Sequence, residues 1–185
     1  MDLGLALKGY LFSPRRKVSE NPAELIPPKL ISGLVVADLG CGGGFYTKYL
    51  AEYAAKVYAI DSSKETLRLA SSEIQSKYVE FINADITDTH LKTESIDVVL
   101  MANVFHDVKS KNAVDEVERI LKATGTLIII DWKKEKTTVG PPYELRITAD
   151  ECKSYFYGFR TIRITDASEY QYEIIMEKGD GPAKS

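Results

Sequence analysis

Apolar runs and helical stripes take turns along this chain, and their order predicts its layers. Residues 34–39 (LVVADL) are apolar on both sides of the pleat, which predicts a strand buried on both faces. Three glycines follow at alternate positions, Gly40, Gly42 and Gly44. Residues 45–55 then carry a helical pattern, with Phe45, Leu50 and Ala54 available for burial. Residues 57–60 predict a second strand running into Asp61. Ser62 and Glu65 have the spacing of a capping box, and Leu67, Ala70 and Ile74 trace the stripe of the helix it would open. Residues 78–82 predict a third strand and residues 96–101 a fourth, followed by Asn103, Phe105, His106 and Asp107. A helix over residues 109–122 is predicted from Val114, Val117, Ile120 and Leu121, with Gly125 where a glycine just past a helix end belongs. Residues 127–130 predict a fifth strand.

Strict alternation of strand and helix argues for a parallel sheet with helices on both faces. The tail departs from it. Thr148 and Glu151 have capping-box spacing, opening a helix that Gly158 would stop, and residues 159–164 and 170–176 read as strands. Their link, residues 165–169, is too short for a parallel crossover, so the two must pair antiparallel. The predicted fold is α/β: a single Rossmann-like, doubly wound, mostly parallel sheet of seven strands with a terminal antiparallel hairpin. One domain over residues 1–185 is expected, with an N-terminal flap and short helix (1–33), a ligand-binding core (34–178) and a frayed tail (179–185). In the flap, Leu5, Leu7, Tyr10, Leu11 and Phe12 pack on the core or cover the ligand; Asn21-Pro22 opens a short helix that Pro27-Pro28 interrupts.

Composition narrows the partners. The 185 residues carry a net charge of −3 and a pI near 5.5, so no phosphate-neutralising surface is expected, and Arg15-Arg16-Lys17 is too short to reverse that. No apolar run reaches membrane-spanning length, and the first residues lack a basic leader with a cleavage site. Cys41 and Cys152 make no disulfide framework, which points to a reducing, cytoplasmic setting. With only His90 and His106 beside them, no metal-ligand set is expected.

The chemistry gathers at the glycine turn. Glycines there allow positive φ and let bare backbone approach a ligand. Asp61 stands twenty-one positions after Gly40, at a strand end facing the same crevice, where a carboxylate accepts both hydroxyls of a ribose. A nicotinamide dehydrogenase would use a similar cradle, but its fingerprint needs glycine where Phe45 stands. A pyrophosphate would also be repelled by Asp38, whereas a cationic ligand would not.

The stretch Asp38-Leu-Gly40-Cys-Gly42-Gly-Gly44 resembles the glycine motif of class I S-adenosylmethionine-dependent methyltransferases. The resemblance continues through Asp61, Asp85 and residues 101–106, covers about residues 35–178, and is nearest to small-molecule enzymes similar to the ubiquinone/menaquinone C-methyltransferases. It implies S-adenosylmethionine as cofactor, with Asp38 serving the methionine end, Gly40, Gly42 and Gly44 forming the cradle, and Asp61 on the ribose. It also implies Asp85 on the adenine amine with the Ile86 N–H, Ser62 beside the adenine, and Asn103 and Phe105 lining the wall near the methionine. For Asp85 a plain Asx turn in NADITD is the alternative.

In-line methyl transfer asks mainly for placement, and a base only where the acceptor carries a proton. His106 is the candidate base; its alternative is to shape the loop. The segment Gly140-Pro141-Pro142-Tyr143 follows the fifth strand rather than the fourth, so it is not the Asn/Asp-Pro-Pro-aromatic motif of nucleobase methyltransferases and is expected to shape a loop near the acceptor pocket. The expected function is methyl transfer to a small-molecule acceptor, with no nucleic-acid or membrane partner. A cofactor-binding regulatory subunit without catalysis and a protein or RNA methyltransferase are the alternatives.

Overall fold

A computed structural model of the chain describes residues 20–179. The flap residues 1–19, with Tyr10 and the Arg15–Lys17 cluster, and the tail beyond Gly179 lie outside the described residues. Described elements run in the order α1 (Pro22–Leu25), β1 (Val35–Leu39), α2 (Phe45–Leu50), β2 (Lys56–Asp61), α3 (Lys64–Glu73), β3 (Val79–Asn83), β4 (Ile96–Ala102), α4 (Phe105–Val108), α5 (Lys111–Ile120), β5 (Leu121–Trp132), α6 (Ala149–Tyr155), β6 (Phe159–Asp166) and β7 (Gln171–Lys178).

The seven strands form one sheet in the order β3-β2-β1-β4-β5-β7-β6. The first five are parallel to one another, and β7 runs antiparallel to both β5 and β6. This is the predicted α/β sheet with its reversed end. Strand order reverses between β1 and β4, and a crevice opens there outside the carboxyl ends, where open α/β sheets take ligands.

Burial on both faces explains the unbroken apolar runs. Val36, Val98, Leu100, Ile128 and Ile130 pack under Leu25, Ile26, Tyr46 and Leu50 of the α1–α2 side. Their neighbours Ala37, Val99, Met101, Leu127 and Ile129 pack under Val114, Val117, Ile120, Cys152 and Phe156 of the α5–α6 side. Each such fully buried aliphatic side chain stabilises the fold by about 1.5–3 kcal/mol.

Element ends differ from expectation for identifiable reasons. Helix α2 stops at Leu50 rather than near residue 55, because the Tyr53 carbonyl accepts from Gly33 N–H and Ala55 N–H donates to the Leu34 carbonyl, drawing the chain into β2. The cap of α3 is Ser63, whose hydroxyl accepts from Thr66 N–H at 3.3 Å; Ser62 and Glu65 form no capping box. The helix expected over 109–122 forms as α5 but starts at Lys111, past its cap Ser110, because Lys109 (φ +33) ends the short α4 that precedes it. Gly125 does not end a helix. Leu121 pairs with Ile96 and Thr126 with Val98, so residues 122–125 bulge, and a Cβ on Gly125 would lie 2.7 Å from Leu121 Cδ2. The Thr148–Glu151 capping box forms in full at α6.

Candidate active site

The glycine turn closes the carboxyl end of β1. Gly40, Gly42 and Gly44 all take positive φ (+75, +52 and +79), but they need glycine for different reasons. A Cβ on Gly40 would meet Val104 Cγ2 at 2.6 Å, and one on Gly44 would meet Ile74 Cδ1 at 2.6 Å. Among the described residues, a Cβ on Gly42 would meet nothing within 4 Å. Two of the glycines therefore serve internal packing, and Gly42 borders open space. The turn is tied to β2: the N–H groups of Gly40 and Cys41 both donate to the Ile60 carbonyl, at 2.8 and 2.9 Å.

Two carboxylates flank this cradle. Asp38 is only 2% exposed, and its Oδ2 accepts from the Thr47 hydroxyl at 2.5 Å. Asp61, half-buried at the end of β2, accepts from Gly42 N–H on Oδ2 at 2.8 Å; its Oδ1 accepts from Ser63 N–H at 2.9 Å and the Thr66 hydroxyl at 3.3 Å. A carboxylate has about four acceptor positions, so Asp61 braces the turn and keeps about one of them. Ser62 is exposed beside it, its carbonyl held by Asn83 Nδ2 at 2.9 Å. Asp85 is also exposed. Its Oδ1 forms the Asx turn, accepting from Thr87 N–H at 2.9 Å and the Thr87 hydroxyl at 2.7 Å, and these bonds lower its pKa. Among the described residues Oδ2 has no partner, and the same is true of the Ile86 N–H, whose side chain is buried.

The other wall is built from distant stretches. Asn103, at φ +59, donates its backbone N–H to the Ile130 carbonyl at 2.7 Å. Its Oδ1 accepts from Gln171 Nε2 at 2.6 Å, and its Nδ2 donates to Glu20 Oε2 at 3.3 Å. The Tyr46 hydroxyl donates to the same Glu20 oxygen at 2.8 Å. Phe105 is not part of this wall. It is 0% exposed, packed against Phe156 and Tyr155 with ring centroids 5.0 and 5.3 Å apart, because α4 turns that side of the chain into the core.

His106 is 4% exposed and held by Asp131, which sits at the end of β5. Its Nδ1 lies 2.6 Å from Asp131 Oδ1, its backbone N–H donates to Oδ2 at 2.9 Å, and Nε2 lies 3.5 Å from Asp107 Oδ1. Burial works to lower the imidazole pKa, but the Asp131 hydrogen bond and charge, with the charge of Asp107, outweigh it and leave it raised.

Residues 133–148, the loop after β5 that carries Pro141-Pro142, are gathered around Arg146. Its guanidinium donates to the carbonyls of Pro141, Glu135 and Val139 and to the Thr137 hydroxyl, and lies 5.3 Å from the Trp132 ring. Burial raises the pKa of Cys41, with Asp38 and Asp61 adding to it, and pushes Cys152 up to about 12. Both cysteines are free thiols, and neither is an activated nucleophile at neutral pH. His90 sits exposed in a loop at φ +61. Among the described residues, no cluster of three or more His, Cys, Asp or Glu could hold a metal ion, and no helix is long and apolar enough to cross a membrane.

Sequence reasoning thus placed Asp38, the glycines, Asp61 and Asn103 on one crevice but missed Glu20, Asp131, Arg146 and Gln171. Asp131 had a signal: it is an acid closing an apolar strand run, as Asp38 and Asp61 are. Glu20, Arg146 and Gln171 had none, being local surface-type residues in the sequence.

Comparison with known proteins agrees with this fold. Residues 37–129, half of the chain, match the family model described as a methyltransferase domain. A structure of an S-adenosylmethionine-dependent methyltransferase from Aquifex aeolicus superposes with a TM-score of 0.86 at 29% identity, covering 96% of this chain and 99% of that one. A Sulfolobus solfataricus protein assigned to the type 11 methyltransferases gives 0.77 at 33% identity, covering 90% and 95%. Among curated sequences, the mitochondrial ubiquinone biosynthesis O-methyltransferase of Dictyostelium discoideum is 29% identical over 127 residues, 61% of this chain and 38% of that one. The matched stretches span about a third to half the length of such curated relatives.

Proposed function

The chain belongs to the methyltransferase-domain family, and from that membership we propose that it binds S-adenosylmethionine in the crevice and passes its methyl group in line to a small-molecule acceptor. The observation that carries the reading is Gly42: positive φ, open space on the side where a Cβ would stand, and a carboxylate on either flank. That cradle suits a nucleoside bearing a positive charge and is unsuited to a diphosphate. When bound, the cofactor supplies a methyl group on a sulfonium, which leaves the protein chiefly the task of placement.

In this reading Gly40, Gly42 and Gly44 shape the cradle, and Asp38 lies at its methionine end. Asp61 takes the ribose on its remaining acceptor capacity. Asp85 Oδ2 and the Ile86 N–H meet the adenine, with Ser62 beside it. Asn103 closes the methionine side, and Phe105 supports it only from beneath. For acceptors that carry a proton, His106 is the base; Asp131 holds Nδ1, leaving Nε2 to accept. The acceptor is small and not a nucleic acid, in keeping with a net charge of −3, and the free thiols suit a reducing cytoplasm.

The test is calorimetry with S-adenosylmethionine and S-adenosylhomocysteine, followed by a metabolite screen for conversion of the former into the latter. Asp61→Ala should weaken binding by about 2–3 kcal/mol, since it removes charge-assisted hydrogen bonds and releases Gly42. Unchanged affinity would eliminate the ribose role. Binding without turnover on any acceptor would point to the regulatory subunit instead.

A further inference from the structure

We propose that Glu173 is the residue that recognises the methyl acceptor, its buried Oε1 receiving an uncharged O–H or N–H donor. The proposal rests on the methyltransferase reading above and deepens it.

Alternate residues of β7 face the α1–α2 side of the sheet. Ile175 pairs with Ile128 and joins their apolar cluster, Glu173 pairs with Ile130, and Gln171 pairs with Trp132 at the carboxyl edge. Ile130 in turn pairs with Ala102, the last residue of β4, and the next residue, Asn103, is bonded to Gln171. Glu173 therefore sits one pleat beneath the Asn103–Gln171 link that walls the crevice. It is 1% exposed, between Ile130 of β5 and Thr165 of β6, with Ile175 next to it on the same face of β7.

Its two oxygens are treated differently. Oε2 is fully engaged, accepting from Arg163 Nη2 at 2.6 Å, Arg163 Nε at 3.1 Å and the Thr165 hydroxyl at 3.3 Å. Oε1 is buried and has no hydrogen-bond partner among the described residues. Such an atom is costly, and an apolar side chain of similar size would avoid the cost. Asn103, Gln171, Tyr46 and Glu20 bond to one another, so among the described residues Oε1 is the acceptor left over beneath this wall. The other buried unpartnered atom among the described residues, the Tyr172 hydroxyl, lies on the opposite face with the α5–α6 core. The Arg163 guanidinium already balances the Glu173 charge, so a further cation would be desolvated without a counter-charge. A neutral donor fills Oε1 at no such cost.

The probes are small aromatics in pairs that differ by one methyl cap: phenol against anisole, and indole against N-methylindole. Each is titrated by ligand-observed NMR into protein saturated with S-adenosylhomocysteine. Wild type should prefer at least one uncapped partner by about tenfold, the scale of a hydrogen bond to a charged group. Glu173→Met should bring that ratio to about one while S-adenosylhomocysteine affinity and melting temperature hold or rise. The isosteric Glu173→Gln should lower the ratio to about threefold or less, which keeps the test open if the Met variant fails to fold. Equal binding within both pairs, or a ratio unmoved in the variants, overturns the proposal. So does benzylamine, cationic at neutral pH, binding tighter than phenol. S-adenosylhomocysteine binding is measured first: its absence defeats the methyltransferase reading, whereas its presence with equal pairs defeats the role of Glu173 alone.

Discussion

On the β1–β2 side of the crevice, the groups at its rim lie within a few residues of one glycine turn or of the next strand end. On the β4–β5–β7 side, Glu20, Asn103, Asp131, Gln171 and Glu173 arrive from separate stretches of chain. The first side is held by bonds between near neighbours or adjacent strands, such as Thr47 to Asp38 and Gly42 to Asp61. The second is held by bonds that span 25 to 83 positions, as in His106–Asp131 and Asn103–Glu20. The contrast separates two demands. A cradle for a fixed ligand is made of backbone conformation, which short-range sequence can dictate. A wall that reads a variable partner is made of side chains whose setting depends on how the sheet is assembled.

The sharpest way to break this contrast is inside the glycine turn. Gly40→Val forces a β-branched residue to φ +75 and drives its Cβ to within 2.6 Å of Val104, so urea melts should show a loss of about 4 kcal/mol or no folding at all. Gly42→Ala meets no atom of the described residues and should cost the fold only about 1 kcal/mol, from its positive φ. Its cofactor affinity, by calorimetry, should nevertheless fall by about tenfold or more, because the new methyl group occupies the ligand's space. If the two variants lose stability equally, the division of labour among the glycines is wrong.

Next in size is the long-range pair. Asp131→Asn leaves burial as the main influence on His106, so its NMR titration midpoint should drop below that of wild type. The stability consequence has a definite sign. A folded-state pKa raised above the unfolded value contributes stability that is full below about pH 6.5 and fades as pH climbs through the folded value. The gap between wild type and variant should therefore be widest in mild acid, on the order of 2 kcal/mol, and should narrow with rising pH. A gap that grows toward alkaline pH would refute the charged pair. If His106 also takes a proton from the acceptor, turnover should climb through that same raised pKa.

The smallest effect sharpens the local side. Ser63→Ala removes the hydroxyl that caps α3 and should cost about 1 kcal/mol, while Ser62→Ala, one residue earlier and exposed, should cost under about 0.5 kcal/mol. Equal losses would restore the capping box read from Ser62 and Glu65.

By itself the sequence determined the order of strands and helices, the glycine turn, the placement of Asp38 and Asp61 at strand ends, and the reversed hairpin. Each of these follows from forces acting between near neighbours: side-chain periodicity, the φ that only glycine tolerates, and a five-residue link too short to cross over. Only the tertiary structure decided that Phe105 turns into the core, that a separate short helix, α4, precedes α5, and that Gly125 serves a bulge. It alone matched His106 with Asp131 and Asn103 with Gln171, and left one oxygen of Glu173 unanswered. The partner of a buried polar group is set by strand register and by which face each residue takes, and those are fixed when the whole sheet packs.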